Sequence, residues 1–264
     1  MPRPVQSHGL RSKVYSPVLL AIFRRKFTSG AQRIVFTLEE LRDELRAMGL
    51  EARNAADVIY RMKSRTILPE EIRKLGYHIL EITSRGTYAF VIGESTLIEY
   101  PPQVDITEVH DLTPKAVRSL LHPDFGSIDE QGLLSICRYN DLLSRFLEAT
   151  TFHVKSHVRK SVPGVGQAEI DDLHVEIHGS VHEPRELTIV PIEAKAKDDP
   201  VNRVQVVIQT KFARHAFPDH PCRPVTVKLF EDGRILFMEF NVTDEANALA
   251  VVRHRYFRVI EKSR

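Results

Sequence analysis

Two short stretches of this chain place acids and a base where they could handle a phosphate. The first is Glu169-Ile170-Asp171-Asp172-Leu173-His174-Val175-Glu176-Ile177. Read as a strand, its alternate residues share a face. Asp171 then points with Leu173, Val175 and Ile177, and Asp172, His174 and Glu176 take the other face, which reads as solvent. A carboxylate in an apolar row is costly to bury without a charge partner, and a bound cation is one of the few good remedies. The second stretch, Ile189-Val190-Pro191-Ile192-Glu193-Ala194-Lys195, runs from apolar residues directly into an acid and a base on one face, roughly 6–7 Å apart. If the two strands lie side by side, Asp171 and Glu193 converge on one hard cation while Lys195 points at whatever that cation binds. Carboxylates that leave several positions to water suit Mg2+. The ion would polarise a phosphodiester and lower the pKa of a bound water. The Lys195 ammonium would stabilise charge developing on the phosphate, or orient or deprotonate the attacking water.

These residues resemble the PD-(D/E)xK nuclease superfamily, the fold of most type II restriction endonucleases. The match consists of Asp171, a hairpin connection, and Glu193-Ala194-Lys195 at the end of an apolar strand that a helix follows; Glu-x-Lys occurs once in the chain. The resemblance spans about residues 128–242. It implies a mixed sheet flanked by helices, Mg2+-dependent phosphodiester hydrolysis, Asp171 and Glu193 as metal ligands, and Lys195 as the catalytic lysine. Ile170 stands where the family name has proline, a position that varies widely in the superfamily. Gln209, on the following helix, resembles a polar residue that some branches place near the metal. Glu148 could be an accessory acid of the kind some members use.

Other constellations carry less. His174, His178 and His182 recur at every fourth position, but Val175, Ile177 and Gly179 argue for strand and turn, which spreads the rings too far apart for zinc. Cys137 and Cys222 build neither a zinc site by themselves nor a disulfide framework. Neither G-x-x-x-x-G-K-[ST] nor G-x-G-x-x-G occurs, so no nucleotide cofactor is indicated.

The elements that must position these groups follow from period and punctuation. Strands are expected at 151–162, 169–177, 187–196, 224–230 and 234–242, a helix at 202–217, a long helix from a capping box at Ser127 to about Ala149, and a final helix over 245–260. Together they make an α/β core with a mixed sheet. Upstream, Thr37-Leu38-Glu39-Glu40 is a capping box that opens a helix closed by Gly49. A second helix is expected over 54–65, with Ala55, Val58, Ile59 and Met62 inward and Arg53, Asn54, Arg61, Lys63 and Arg65 on or beside the outer face. A short helix after Pro69 and a hairpin over 77–92 complete the order of a winged helix-turn-helix, with residues 15–28 as its first helix. Such a module puts its second helix into the major groove of duplex DNA, where Arg and Asn can read base edges.

Charge sharpens the division. Residues 1–75 hold 15 Lys+Arg against 8 Asp+Glu, a net of +7, although all 264 residues sum to only +2. A basic module joined to an acidic remainder suits a polyanion. The expected organisation is a DNA-binding domain at 1–95, a linker at 96–112 around Pro101-Pro102, and a nuclease domain at 113–264. Apolar residues at 42% exclude a disordered chain. The longest apolar run, Val18–Phe23, is too short to span a membrane, and no signal peptide is evident, so a cytoplasmic protein is expected. The leading expectation is a site-specific, Mg2+-dependent endonuclease of duplex DNA of the restriction kind. Palindromic sites favour a homodimer by symmetry. The alternatives are a structure-specific repair or recombination nuclease, and a non-catalytic DNA-binding regulator with a nuclease-like fold.

Overall fold

The β-rich C-terminal stretches assemble into one seven-stranded mixed sheet, seen in a computed structural model. The structure describes residues 8–51, 55, 58, 59, 62, 67–84, 86–121, 128–197 and 199–261, with residues 8–14 as backbone only. The described chain divides into two compact units, one of residues 1–98 with 163–166 and one of 99–162 with 167–264.

The first unit contains α1 (His8–Lys26), β1 (Arg33–Thr37), α2 (Leu38–Ala47), α3 (Glu70–Arg73), β2 (Tyr77–Ser84) and β3 (Thr87–Ile92). Thr37 starts α2 as its capping box requires: Oγ1 accepts from the Glu40 N–H at 3.2 Å, and the Glu40 carboxylate accepts from the Thr37 N–H at 2.7 Å. Ala55, Val58, Ile59 and Met62 are helical and buried at the expected inward positions. The strands form a sheet of order β1-β3-β2. Its aromatic heart is Phe23 edge-on to Tyr77 and Phe90, with Phe36 stacked on Phe90 at 4.9 Å. β1 was not expected, and it pairs with β3 from Arg33 to Thr37. Arg53, Asn54, Arg61, Lys63 and Arg65, the expected DNA-reading residues, lie outside the described residues.

The second unit contains β4 (Ile106–His110), α4 (Lys115–Leu121), α5 (Glu130–Tyr139), α6 (Leu142–Leu147), β5 (Thr150–Val162), β6 (Gly166–Gly179), β7 (Pro184–Lys195), α7 (Arg203–Ala216), β8 (Val225–Leu229), β9 (Arg234–Phe240) and β10 (Val251–Ile260). Sheet order is β4-β10-β9-β8-β7-β6-β5, with β4/β10 and β7/β8 parallel and β10/β9, β9/β8 and β7/β6 antiparallel. Val190, Ile192 and Ala194 of β7 join Leu133, Leu134, Leu143 and Phe146 of α5 and α6 in one core. The mixed α+β class with a large mixed sheet flanked by helices is therefore present. Pro191 sits in β7 where pairing on the β8 side is interrupted, between the Ile189–Cys222 bridge and the ladder that starts at Ile192.

Three expectations at this level are corrected. The span expected to be linker contains β4, which pairs in parallel with β10. The expected C-terminal helix is instead strand β10, antiparallel to β9, with only a short 3-10 turn at Ala246–Ala248 before it. The long helix to Ala149 is broken into α5 and α6 at Asn140-Asp141, where Asp141 takes a left-handed φ of 51°. Asn140 is fully buried at that break and ties the end of α5 to the segment after β4, its amide donating to the Ile136 carbonyl at 2.9 Å while its Oδ1 accepts from the Leu112 N–H at 2.8 Å.

Candidate active site

Strand alternation places the candidate groups. Asp172 pairs with Ile192 across β6 and β7, so the next step along that register sets Asp171 beside Glu193 on the opposite face. The Asp171 carboxylate accepts the Ala194 N–H at 2.9 Å. Glu193 is buried, with Lys195 Nζ 2.7 Å from its Oε1. The N-cap of α7 is Asn202, whose Oδ1 accepts from the Val204 N–H. That start brings Gln205, in the first turn, to donate its amide to the same Glu193 oxygen. Glu130, at the start of α5, lies 3.6 Å from Lys195 Nζ.

The electrostatics follow from burial around two acids. Burial pushes Glu193 up to about 7; the Asp171 charge adds to that rise and Lys195 opposes it. Burial likewise raises Asp171, against the Ala194 hydrogen bond and the Lys195 charge. For Lys195 burial alone would lower the ammonium, but Glu193, then Glu130, hold it above the ordinary lysine value. The site thus holds a protonated lysine and two carboxyls whose ionised forms are under-compensated. That is the environment a divalent cation relieves.

The donor chemistry fits Mg2+ of the kind that keeps most of its water: hard carboxylate oxygens from Asp171 and Glu193, on adjacent strands. Among the described residues no group of three or more His, Cys, Asp or Glu side chains is placed to hold a metal ion. When bound, such an ion would supply Lewis-acid polarisation of the phosphate and a more acidic water. The residues themselves orient the site: the Ala194 N–H fixes Asp171, Gln205 and Lys195 fix one oxygen of Glu193, and Lys195 keeps a positive charge beside the acids.

Among the described residues, neither expected accessory residue hydrogen-bonds to the trio. Gln209 is fully buried with both amide atoms lacking partners, one helical turn beyond the residue that reaches Glu193. Glu148 is exposed and paired with Arg255 of β10 at 2.7 Å, which holds its carboxyl below the usual range. Gln205 and Glu130 take the places beside the core trio. The Asn202 cap could have set the phase of α7; Glu130 falls in the capping box expected to open at Ser127, whereas the helix is capped by Asp129, whose Oδ1 accepts from the Gly132 N–H at 2.7 Å.

The other face of β6 is also corrected. It is not solvated: Asp172, His174 and Glu176 are 0%, 6% and 3% exposed. Arg138 of α5 donates to Asp172 Oδ2 at 2.7 Å and Ser156 of β5 to Oδ1 at 2.6 Å, with His174 Nε2 3.4 Å away. Glu176 accepts from Arg223 at 2.7 Å, and Arg223 also grips Glu239 with two hydrogen bonds. Burial acts to raise Asp172, but the hydrogen bonds of His174 and Ser156 and the Arg138 charge hold it below the usual range. Beside it lies a cavity of about 150 Å3 whose wall includes Leu134, Arg138, His153, His174 and Phe237. His174 Nδ1, buried there, has no partner.

No helix among the described residues is long and apolar enough to cross a membrane. Compared with protein-family models, curated proteins and solved structures, the chain finds no match.

Proposed function

We propose that this chain is a Mg2+-dependent, site-specific endonuclease of double-stranded DNA, of the PD-(D/E)xK restriction kind. The observation that carries the reading is the meeting of Asp171, Glu193 and Lys195 on one face of adjacent strands, with both acids shifted toward protonation by burial. In this reading Asp171 and Glu193 hold the ion, and Lys195 neutralises charge that builds on the scissile phosphate. Gln205 and Glu130 are positioning residues that act through Glu193 and Lys195.

The first unit supports duplex docking. Its elements run helix, strand, helix, buried helical positions at 55, 58, 59 and 62, and then a two-stranded hairpin, in a β1-β3-β2 sheet. That order suits a winged helix-turn-helix, and the +7 charge of residues 1–75 suits a polyanion. Two strands to cut at a palindromic site favour two copies working by symmetry.

Incubation of the purified protein with unmethylated phage DNA and Mg2+ tests the proposal. Discrete fragments are expected, with none in excess chelator. Cutting confined to branched DNA would make it a structure-specific nuclease. Tight, metal-independent binding without any cutting would make it a regulator.

A further inference from the structure

The strand that closes the sheet beside the candidate site has an unusual charge pattern. β5 spans Thr150–Val162 and stands at the end of the sheet order, next to β6. Its sequence, TTFHVKSHVRKSV, contains Lys155, Arg159 and Lys160 with His153 and His157, and no acid. Lys155, His157, Arg159 and Lys160 are all exposed. An edge strand of this length offers a row of backbone groups to any passing strand, and lysines along an edge are a recognised way of refusing one. Pairing with a second copy of itself would set like charges against each other, which disfavours that occupant.

A polyanion is the complementary partner, and the geometry says where it would lie. Glu169 and Asp171 alternate along β6 and therefore share a face. Arg159 donates to Glu169 at 2.8 Å, and His157 Nδ1 lies 3.8 Å from the same carboxylate. Arg159 and His157 thus border the face on which Asp171 and Glu193 stand, while Lys160, the next residue along the strand, turns to the other side of the same exposed edge. His157 adopts a left-handed φ of 50°, a conformation that costs a non-glycine residue energy and is retained where the surroundings hold it.

We infer that the exposed edge strand β5, through Lys155, Arg159 and Lys160 with His157 among them, grips the phosphate backbone of duplex DNA flanking the bond to be cut. The inference rests on the nuclease reading above and adds to it the surface of the catalytic unit that holds the substrate. Contacts of this kind position the duplex and carry no sequence information, so their loss weakens all sequences alike.

The test is equilibrium binding of the full chain to a fluorescent duplex without Mg2+, at several salt concentrations, for the wild type, Lys155→Ala/Lys160→Ala and Arg159→Ala. The two lysines are exposed, so the double variant is expected to fold, and circular dichroism checks it. The logarithmic salt slope should fall by about one for each phosphate contact removed, with affinity lost equally on cognate and unrelated duplexes. Wild-type affinity and slope in both variants, in a preparation whose unmodified protein cuts DNA, would overturn the inference and leave the nuclease reading standing. Unmodified protein that neither binds nor cuts would remove that reading, and this one with it. A dimer that the lysine substitutions dissociate while DNA binding stays intact would assign the edge to a second copy and also overturn the inference.

Discussion

Asp171 and Asp172 are neighbours in the chain and live in opposite electrostatic worlds. Asp171 faces another acid, Glu193, and its carboxyl is raised by burial that one backbone N–H and Lys195 do not offset. Asp172 is fully enclosed, yet Arg138, Ser156 and His174 hold it below the usual range. Burial is common to both; compensation separates them. A saturated carboxylate is a structural group, since its lone pairs are spent inside the protein. An under-compensated pair of acids keeps its capacity for something from outside. In the proposed reading, the two faces of one strand divide the labour of folding and chemistry.

The largest effect should come from breaking the under-compensated face. Lys195→Ala or Glu193→Ala should reduce single-turnover cleavage by at least about a hundredfold, with duplex affinity largely kept. Near wild-type rates in either variant would move the chemistry elsewhere.

The saturated face should answer in stability. Asp172→Ala removes the partner of Arg138, whose side chain is 29% exposed, so the cost should fall toward the lower end of the buried-pair range, about 3 kcal/mol. Urea unfolding measures it. A loss under about 0.5 kcal/mol would show that the network around Asp172 contributes little.

The two acids also predict opposite pH windows. Glu193 is raised, so the stability tied to its protonated form is complete below its ordinary value of 4.5 and is lost as pH rises through about 7. Asp172 is lowered, so its contribution is present above its ordinary value of 3.8 and is lost as pH falls through the folded value. Unfolding free energies in chelator should therefore decline between about pH 4.5 and 7, and Glu193→Gln should remove most of that slope, leaving the part that Asp171, also raised, contributes. Mg2+ should flatten it in the unmodified protein by favouring the ionised acids. A slope unchanged by both would contradict the placement of Glu193.

The smallest contrast separates two glutamines of α7. Gln205→Ala should lower the cleavage rate several-fold, because it leaves Lys195 as the one remaining donor of the two that fix this Glu193 oxygen, and Gln205→Glu should shift its pH profile upward by adding a like charge. Gln209→Ala should leave that profile in place and act, if at all, on stability.

How much of this was legible depends on the range of the interactions involved. The face-sharing of Asp171 with the apolar row and of Glu193 with Lys195 follows from a period of two, which is local. So do the capping box at Thr37 and the helix after Asn202. The burial of Asp172 and Glu176 was hidden because their partners, Arg138 and Arg223, lie 34 and 47 residues away. Polar residues on alternate positions read as a solvated face unless such partners are known. β4 and β10 depend on each other across almost the whole second unit, and the Val, Tyr, Phe and Ile of β10 are residue types that favour strand over the helix expected at 245–260. Glu130 reaches Lys195 only because the sheet and α5 are already assembled.

The central claim is that the acid on one face of β6 works and its neighbour on the other face supports. Single-turnover cleavage of a duplex in Mg2+ by Asp171→Asn and Asp172→Asn, each scaled to its folded fraction, tests this most directly. The account predicts background cutting by Asp171→Asn and near wild-type cutting by the folded Asp172→Asn protein. Cutting by Asp171→Asn together with its loss in Asp172→Asn would contradict it, and would place the chemistry on the face of Arg138 and His174.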